Sequence, residues 1–413
     1  MQNYPLRNFV LAASSWCGPR PLSFGERVAV VAAAILITIL RAPQCFLAPQ
    51  FYAEDGFLFR SAYNLGLASL LDPIAGTLNL YGASIALIAS HAPLVAAPAI
   101  EVSGSLAAVA IVAAMATSPR FDFPTKIVAA LSIACAPAAF ELIGVLANAQ
   151  WVLPLGLFIL LFSRAAASRA ILIGEAAFVL VVGLNGPVPM FLVPLFVWQT
   201  WVTTGRDRSR LLVLTALLTV AAAVQLMFLR HHVAPLFNIV EPAPYSPLLW
   251  VTMPLRWLDP LRPLVHKIIG YGPMGIAVVI VGAVALGRYA LVRPYRDIKI
   301  AMLVVALIIL YSGMLKYRAN LQTVLDANGR YFYVGSVFFF WYLCIAADQL
   351  SRLRGAVLVL VFILFANSAL VHSAKKPRAP QPWSDFVERI EGAKQMVIVP
   401  IAPPGWQIEF LPK

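Results

Sequence analysis

Charge is scarce in this 413-residue chain: Asp, Glu, Lys and Arg together make up 12%, with only 18 acidic residues and five histidines. A soluble globule of this length needs more polar surface than that to cover its core, so the composition excludes one. Cysteine is also sparse. Cys17, Cys45, Cys135 and Cys344 are widely spaced and contain no CxxC pair, which indicates neither a disulfide framework nor a zinc site. No repeat of fixed period and no convincing inverted halves are visible. The alternating ten-residue segments of an outer-membrane barrel are missing as well.

What the chain has in abundance is apolar sequence, at 61% hydrophobic residues with a mean hydropathy of +0.83. The runs are long enough to cross roughly 30 Å of hydrocarbon as helices. Spans are predicted near 28–47, 94–116, 127–147, 151–163, 170–184, 187–204, 211–229, 273–290, 299–316, 331–348 and 355–372. The fold class is therefore an all-α polytopic membrane protein of about 11 transmembrane helices. The first run lacks a clear small-residue cleavage site and is read as a retained helix rather than a signal peptide.

The net charge of +13 follows topology rather than a nucleic-acid partner, because the basic residues lie in small groups between apolar runs. With the N-terminus inside, every inner segment is basic. These segments carry Arg7, Arg20 and Arg27; Arg120 and Lys126; Arg164 and Arg169; Arg206, Arg208 and Arg210; Arg288, Arg293, Arg296 and Lys299; Arg352 and Arg354. The same count puts loops 48–93, 230–272 and 317–330 outside, together with the tail 373–413. Residues 1–372 are expected to form the transmembrane domain and 373–413 a small external cap. Within the first loop, 80–91 reads as an interfacial helix. In the tail, Trp383, Phe386, Val387 and Ile390 recur at helical spacing, and Met396–Ile401 and Trp406–Leu411 read as two strands joined at Pro403-Pro404-Gly405.

The acidic pair Glu54-Asp55 stands just beyond the first span, before Gly56, which allows a tight turn, and after the aromatic residues Phe51 and Tyr52. Two like charges beside low-dielectric lipid suit proton transfer from a hydroxyl. A solvated Asp-Gly turn is the plainer alternative. A phosphate needs cations near the outer interface, and Lys316, Arg318 and Arg330 flank one outer loop. Arg330 follows Gly329 and leads into Tyr331, an arrangement able to meet a phosphate and a sugar, or simply to anchor a helix end at headgroups. Asn148 and Gln150, next to Trp151, mark one outer turn and Asn185 another; polar groups beside interrupted helices line cavities or merely connect spans. Glu101 and Glu141 are intramembrane carboxylates, candidates for a site or a structural pair. His231 and His232 follow Arg230 at an outer helix end. Adjacent histidines diverge, so a phosphate contact or interfacial position suits His231 better than a metal. Loop 230–272 carries seven prolines with Trp250 and Trp257, which blocks a long regular helix.

The acidic motif in the first external loop, the amphipathic helix behind it, the many spans and the external C-terminal segment together resemble the GT-C class of integral-membrane glycosyltransferases. The resemblance covers most of the chain in architecture and only the Glu54-Asp55 region in motif. It implies an inverting transfer of a sugar from a polyprenyl-phosphate-linked donor to an envelope glycan, lipid or protein on the outer face of a bacterial inner membrane. A loop carboxylate would be the base, Asp55 before Glu54. The Glu-Asp order departs from the Asp-Glu and Glu-x-Asp arrangements of many members and leaves that assignment open. No metal site is indicated and the cofactor is unknown, a divalent cation being compatible. The rivals are a transporter or flippase coupled through Glu101 and Glu141, a glycan polymerase or ligase, and a non-catalytic scaffold.

Overall fold

The computed structural model describes residues 21–136, 142–166, 168–237, 251, 253–254, 273–316, 329–349 and 383–412. Among them are fourteen α-helices and one two-stranded sheet. In chain order the helices are α1 (Phe24–Arg41), α2 (Pro43–Leu47), α3 (Glu54–Leu65), α4 (Leu80–Ser90), α5 (Ala97–Ala116), α6 (Lys126–Cys135) and α7 (Ala149–Leu161). They continue with α8 (Arg169–Gly183), α9 (Val193–Val202), α10 (Gly205–Phe237), α11 (Pro273–Ala290), α12 (Arg296–Lys316), α13 (Arg330–Gln349) and α14 (Trp383–Glu391). Strands β1 (Val397–Ile401) and β2 (Trp406–Phe410) pair antiparallel, with Val399 opposite Ile408.

Ten of the eleven expected spans overlap a described helix, although in 127–147 the helix ends at Cys135 and residues 142–147 form turns; the span at 355–372 lies outside the described residues. Among the described residues, three segments are both long and apolar enough to cross a bilayer: Leu94–Ala116, Gly205–Arg230 and Arg296–Leu315. Shorter apolar helices pack around them. Membrane character is therefore carried by the structure, while eleven full crossings are not.

Each element has a local cause. Ser23 caps α1 in a reciprocal box with Glu26, whose N–H donates to Ser23 Oγ at 3.3 Å while Ser23 N–H donates to Glu26 Oε2 at 2.9 Å. Alanines then let α1, α5 and α6 approach closely, with Ala34, Ala108, Ala113, Ala116, Ala129 and Ala130 fully buried. The orphan carbonyls at the end of α6 are met by Arg41, which donates to Ala134 and, at 3.1 Å, to Ala136. Aromatics of α13 fill the adjoining space. Trp341 Nε1 reaches Ala129 O at 3.0 Å and Ser132 Oγ at 2.9 Å, and Tyr333 Oη donates to Ile133 O at 2.9 Å.

Two polar clusters mark opposite ends of the bundle. At one, Glu175 of α8 is buried between Arg120 at 2.5 Å and Arg210 at 2.6 Å, and Arg210 also donates to Ser163 O and Leu160 O at 2.9 and 3.0 Å. Arg164 pairs with Asp122 at 3.1 Å, and Arg120 Nε donates to Arg164 O. This end gathers the basic loops that the sequence groups on one side. Helices α7, α8 and α10 run between it and the other end, where α10 presents Gln225 to Leu78, Ala147 meets Asp55, and the turn at 185–186 meets Leu78, Asn79 and Tyr81.

Candidate functional site at the acidic pair

Glu54 and Asp55 do not sit in a tight turn. They are the first two residues of α3, where the helix dipole favours negative charge. Gly56 is required for a different reason than turning: a Cβ there would lie 2.4 Å from Ile401 Cδ1 and 2.7 Å from Ile408 Cγ2. The hairpin of β1 and β2 abuts the first turn of α3. The chain enters that turn through Ala53, held at φ +50° by an N–H bond to Ala402 O at 2.6 Å, beside a parallel bridge from Tyr52 to Ala402. Such a backbone costs a non-glycine residue on the order of 1 kcal/mol or more and persists only when its surroundings demand it.

The surroundings are aromatic and apolar. Phe51 stacks on Phe59 at 4.7 Å and meets the edge of Trp383 at 4.7 Å, while Trp383 Nε1 donates to Leu94 O at 2.7 Å. Asn64 bonds both ways with the hairpin, giving a proton to Glu409 O and accepting one from Leu411 N, each at 3.1 Å. The cap is thus part of the scaffold of the acidic motif.

The two carboxylates face different partners. Asp55 is 2% exposed and its Oδ1 accepts the Ala147 N–H at 2.8 Å. The Ala147 carbonyl in turn accepts Asn79 Nδ2 at 3.1 Å, and Asn79 Oδ1 caps α4 through Gly82 N. Glu54 turns to Arg330, with Oε1 3.3 Å from Nη1 and the side chains 25% and 18% exposed. Arg330 opens α13, so a cation from the last third of the chain reaches the first-loop carboxylate.

The remaining predicted positions divide. Asn148 is buried at the start of α7, next to the peptide that holds Asp55. Tyr331 is buried and packs edge-on to Trp151 with ring centres 4.9 Å apart, over Gly313, where a Cβ would lie 2.4 Å from Cδ1 of its ring. Asn185 is fully buried, bridges Asn79 and accepts the Tyr81 N–H at 3.1 Å; its Nδ2 has no partner among the described residues. Gln150 lies against Gly186, which takes φ +83°. Arg318 and Glu141 lie outside the described residues, as do most of loop 230–272 and the side chains of Lys316, His231 and His232. His91 is exposed and turns back to Leu87 O of its own helix at 2.8 Å, away from the site.

Four contributors carry no sequence signal of their own or a faint one. The Ala147 N–H and the Ala402 carbonyl are backbone groups and leave no trace in residue type. Gln225 is visible only as an amide in an apolar run; fully buried, it pairs with both backbone groups of Leu78, at 2.9 and 3.0 Å. Tyr81 donates to Gly104 O at 2.7 Å, and burial pushes its phenol up to about 12, so it remains a donor. Glu101, on α5, is 1% exposed, feels the charge of Asp55, and has no hydrogen-bond partner among the described residues. No group of three or more His, Cys, Asp and Glu side chains suited to a metal occurs among the described residues. No family model, curated protein or solved structure matches the chain.

Proposed function

We propose that this protein is a membrane glycosyltransferase of the GT-C type, moving a sugar from a polyprenyl-phosphate donor to an envelope glycan, lipid or protein. The reaction takes place at the outer face of a bacterial inner membrane, with the N-terminus inside and the C-terminal cap outside. The observation that carries this reading is the meeting of Arg330 with Glu54, the neighbour of Asp55. A lipid phosphate needs a cation, an acceptor hydroxyl needs a base, and inverting transfer needs the two within one sugar of each other.

Asp55, buried and oriented by the Ala147 N–H, takes the proton of the acceptor hydroxyl. The hydroxyl oxygen attacks the anomeric carbon, the bond from that carbon to the phosphate oxygen breaks, and the lipid phosphate leaves with its charge met by Arg330. Orientation and charge neutralisation supply the acceleration, with no covalent enzyme intermediate. Asn148, Tyr331 and Trp151 supply polar and aromatic contacts for the sugar.

The test is mass spectrometry of envelope glycans and lipids from a deletion strain beside a strain carrying Asp55→Asn at normal expression. A sugar mass missing from both supports the reading, and intact modification in the Asp55→Asn strain refutes the assigned base. One observation favours transport as the second reading: Glu101, buried in a membrane-length helix, has neither oxygen paired among the described residues. That reading requires Glu101→Gln to stop solute or lipid movement across the membrane while Asp55→Asn leaves it intact.

A further inference from the structure

We propose that Glu54 is a built-in competitor of the donor phosphate. Its carboxylate holds the position on Arg330 that a phosphate takes during turnover, so binding the donor and releasing Glu54 are one event. The inference rests on the reading that Arg330 receives the phosphate of a lipid-linked sugar, and it adds an order of binding, donor before acceptor.

The geometry of the pair argues for exchange. Nη1 and Oε1 are 3.3 Å apart, longer than the 2.7–2.9 Å of a strong charge-assisted bond. The other end of the bundle shows a tighter pair: Arg210 meets Glu175 at 2.6 Å and is 4% exposed. Arg330 and Glu54, at 18% and 25%, remain reachable. A guanidinium presents a planar fork, and two phosphate oxygens satisfy that fork better than one carboxylate oxygen.

The backbone favours the same exchange. Glu54 stands in the first turn of α3 and Arg330 in the first turn of α13, so two positive helix ends meet at this pair. A cation at the start of a helix is unfavourable unless an anion accompanies it; Glu54 is that anion here, and a phosphate serves equally. Once displaced, Glu54 keeps the stabilisation of its own helix end, which lowers the cost of letting go. It is then an added hydrogen-bond acceptor beside Asp55, where the acceptor hydroxyl arrives.

Binding of undecaprenyl phosphate to the full-length protein in lipid nanodiscs tests this without turnover. Glu54→Gln is expected to bind about 1.5- to fivefold tighter, the range for losing one partly exposed competing ion pair. Arg330→Gln is expected to bind at least about tenfold more weakly, and adding Glu54→Gln to it should change nothing further. Glu54→Asp, which shortens the reach while keeping the charge, should tighten binding to an intermediate degree and stands in if the Gln variant folds poorly. Unchanged or weaker binding by both Glu54 variants, with Arg330→Gln still impaired, overturns the competition and leaves the glycosyltransferase reading intact. Loss of any Arg330 effect removes the donor assignment beneath both. Inorganic phosphate titrated in competition should fail to displace the lipid, and displacement at comparable concentration would assign the site to free phosphate instead.

Discussion

The Ala53 N–H donates to the Ala402 carbonyl at 2.6 Å, tying the residue before the acidic pair to the end of β1. A segment that reads as a peripheral tail is in this way joined to the backbone that aims Glu54 and Asp55.

Gly56→Ala should therefore loosen the cap. Its new methyl would meet Ile401 and Ile408 at 2.4 and 2.7 Å, and overpacking of that kind costs about 1–3 kcal/mol. Faster limited proteolysis between residues 391 and 412, with a lower melting temperature in detergent, is the expected result; an unchanged cleavage rate would mean that the hairpin side chains simply swing aside.

Asp55→Asn retains size and removes the proton acceptor. Transfer is expected to fall by at least about a hundredfold, read as the sugar mass on the acceptor, while yield and melting temperature stay near wild type. Because Asn also offers its carbonyl oxygen to the Ala147 N–H, a large stability loss would point to a structural role for this aspartate.

Gln225→Leu keeps volume and removes both bonds to Leu78. Its carbonyl retains the Gly186 N–H at 2.8 Å, but the Leu78 N–H loses its acceptor. A buried orphan donor costs about 1–3 kcal/mol, so a lower melting temperature is predicted. The turn at 78–79 positions Asn79, and transfer should decline along with stability.

Glu175→Ala strips the shared partner from Arg120 and Arg210, of which Arg210 is almost completely buried. Breaking a buried pair from one side costs about 3–5 kcal/mol. A sharp fall in folded yield is expected, and Glu175→Ala combined with Arg210→Met should recover part of it. Absence of any recovery would place the role of Glu175 elsewhere.

Much of this architecture is legible in the chain because lipid leaves few choices: every backbone group in an apolar run must be satisfied within its own helix. That is why ten predicted spans overlap described helices, and why a helix at 80–90 and the hairpin at 397–410 appear where periodicity and turn residues place them. The grouping of Arg120, Arg164 and Arg210 at one end follows from charge spacing in the same way.

The residues of the candidate site were legible by type and not by partnership. Glu54-Asp55 stands out against a chain poor in acid, and Arg330 as a cation that follows a glycine and opens an apolar run. Their meeting at 3.3 Å joins positions far apart in the chain, and no local pattern encodes that. The pair reads as a turn because Asp-Gly favours one; it opens a helix because β1 and β2 pack against Gly56 and hold Ala53 at a positive φ. Sequence by itself determined the helices, the small hairpin and which rare charges were worth watching, since hydrophobicity and backbone satisfaction act locally. Only the tertiary structure decided which carboxylate meets a cation and which meets a peptide N–H, because that depends on groups brought together by packing, and a backbone N–H such as Ala147's has no signature in the sequence at all.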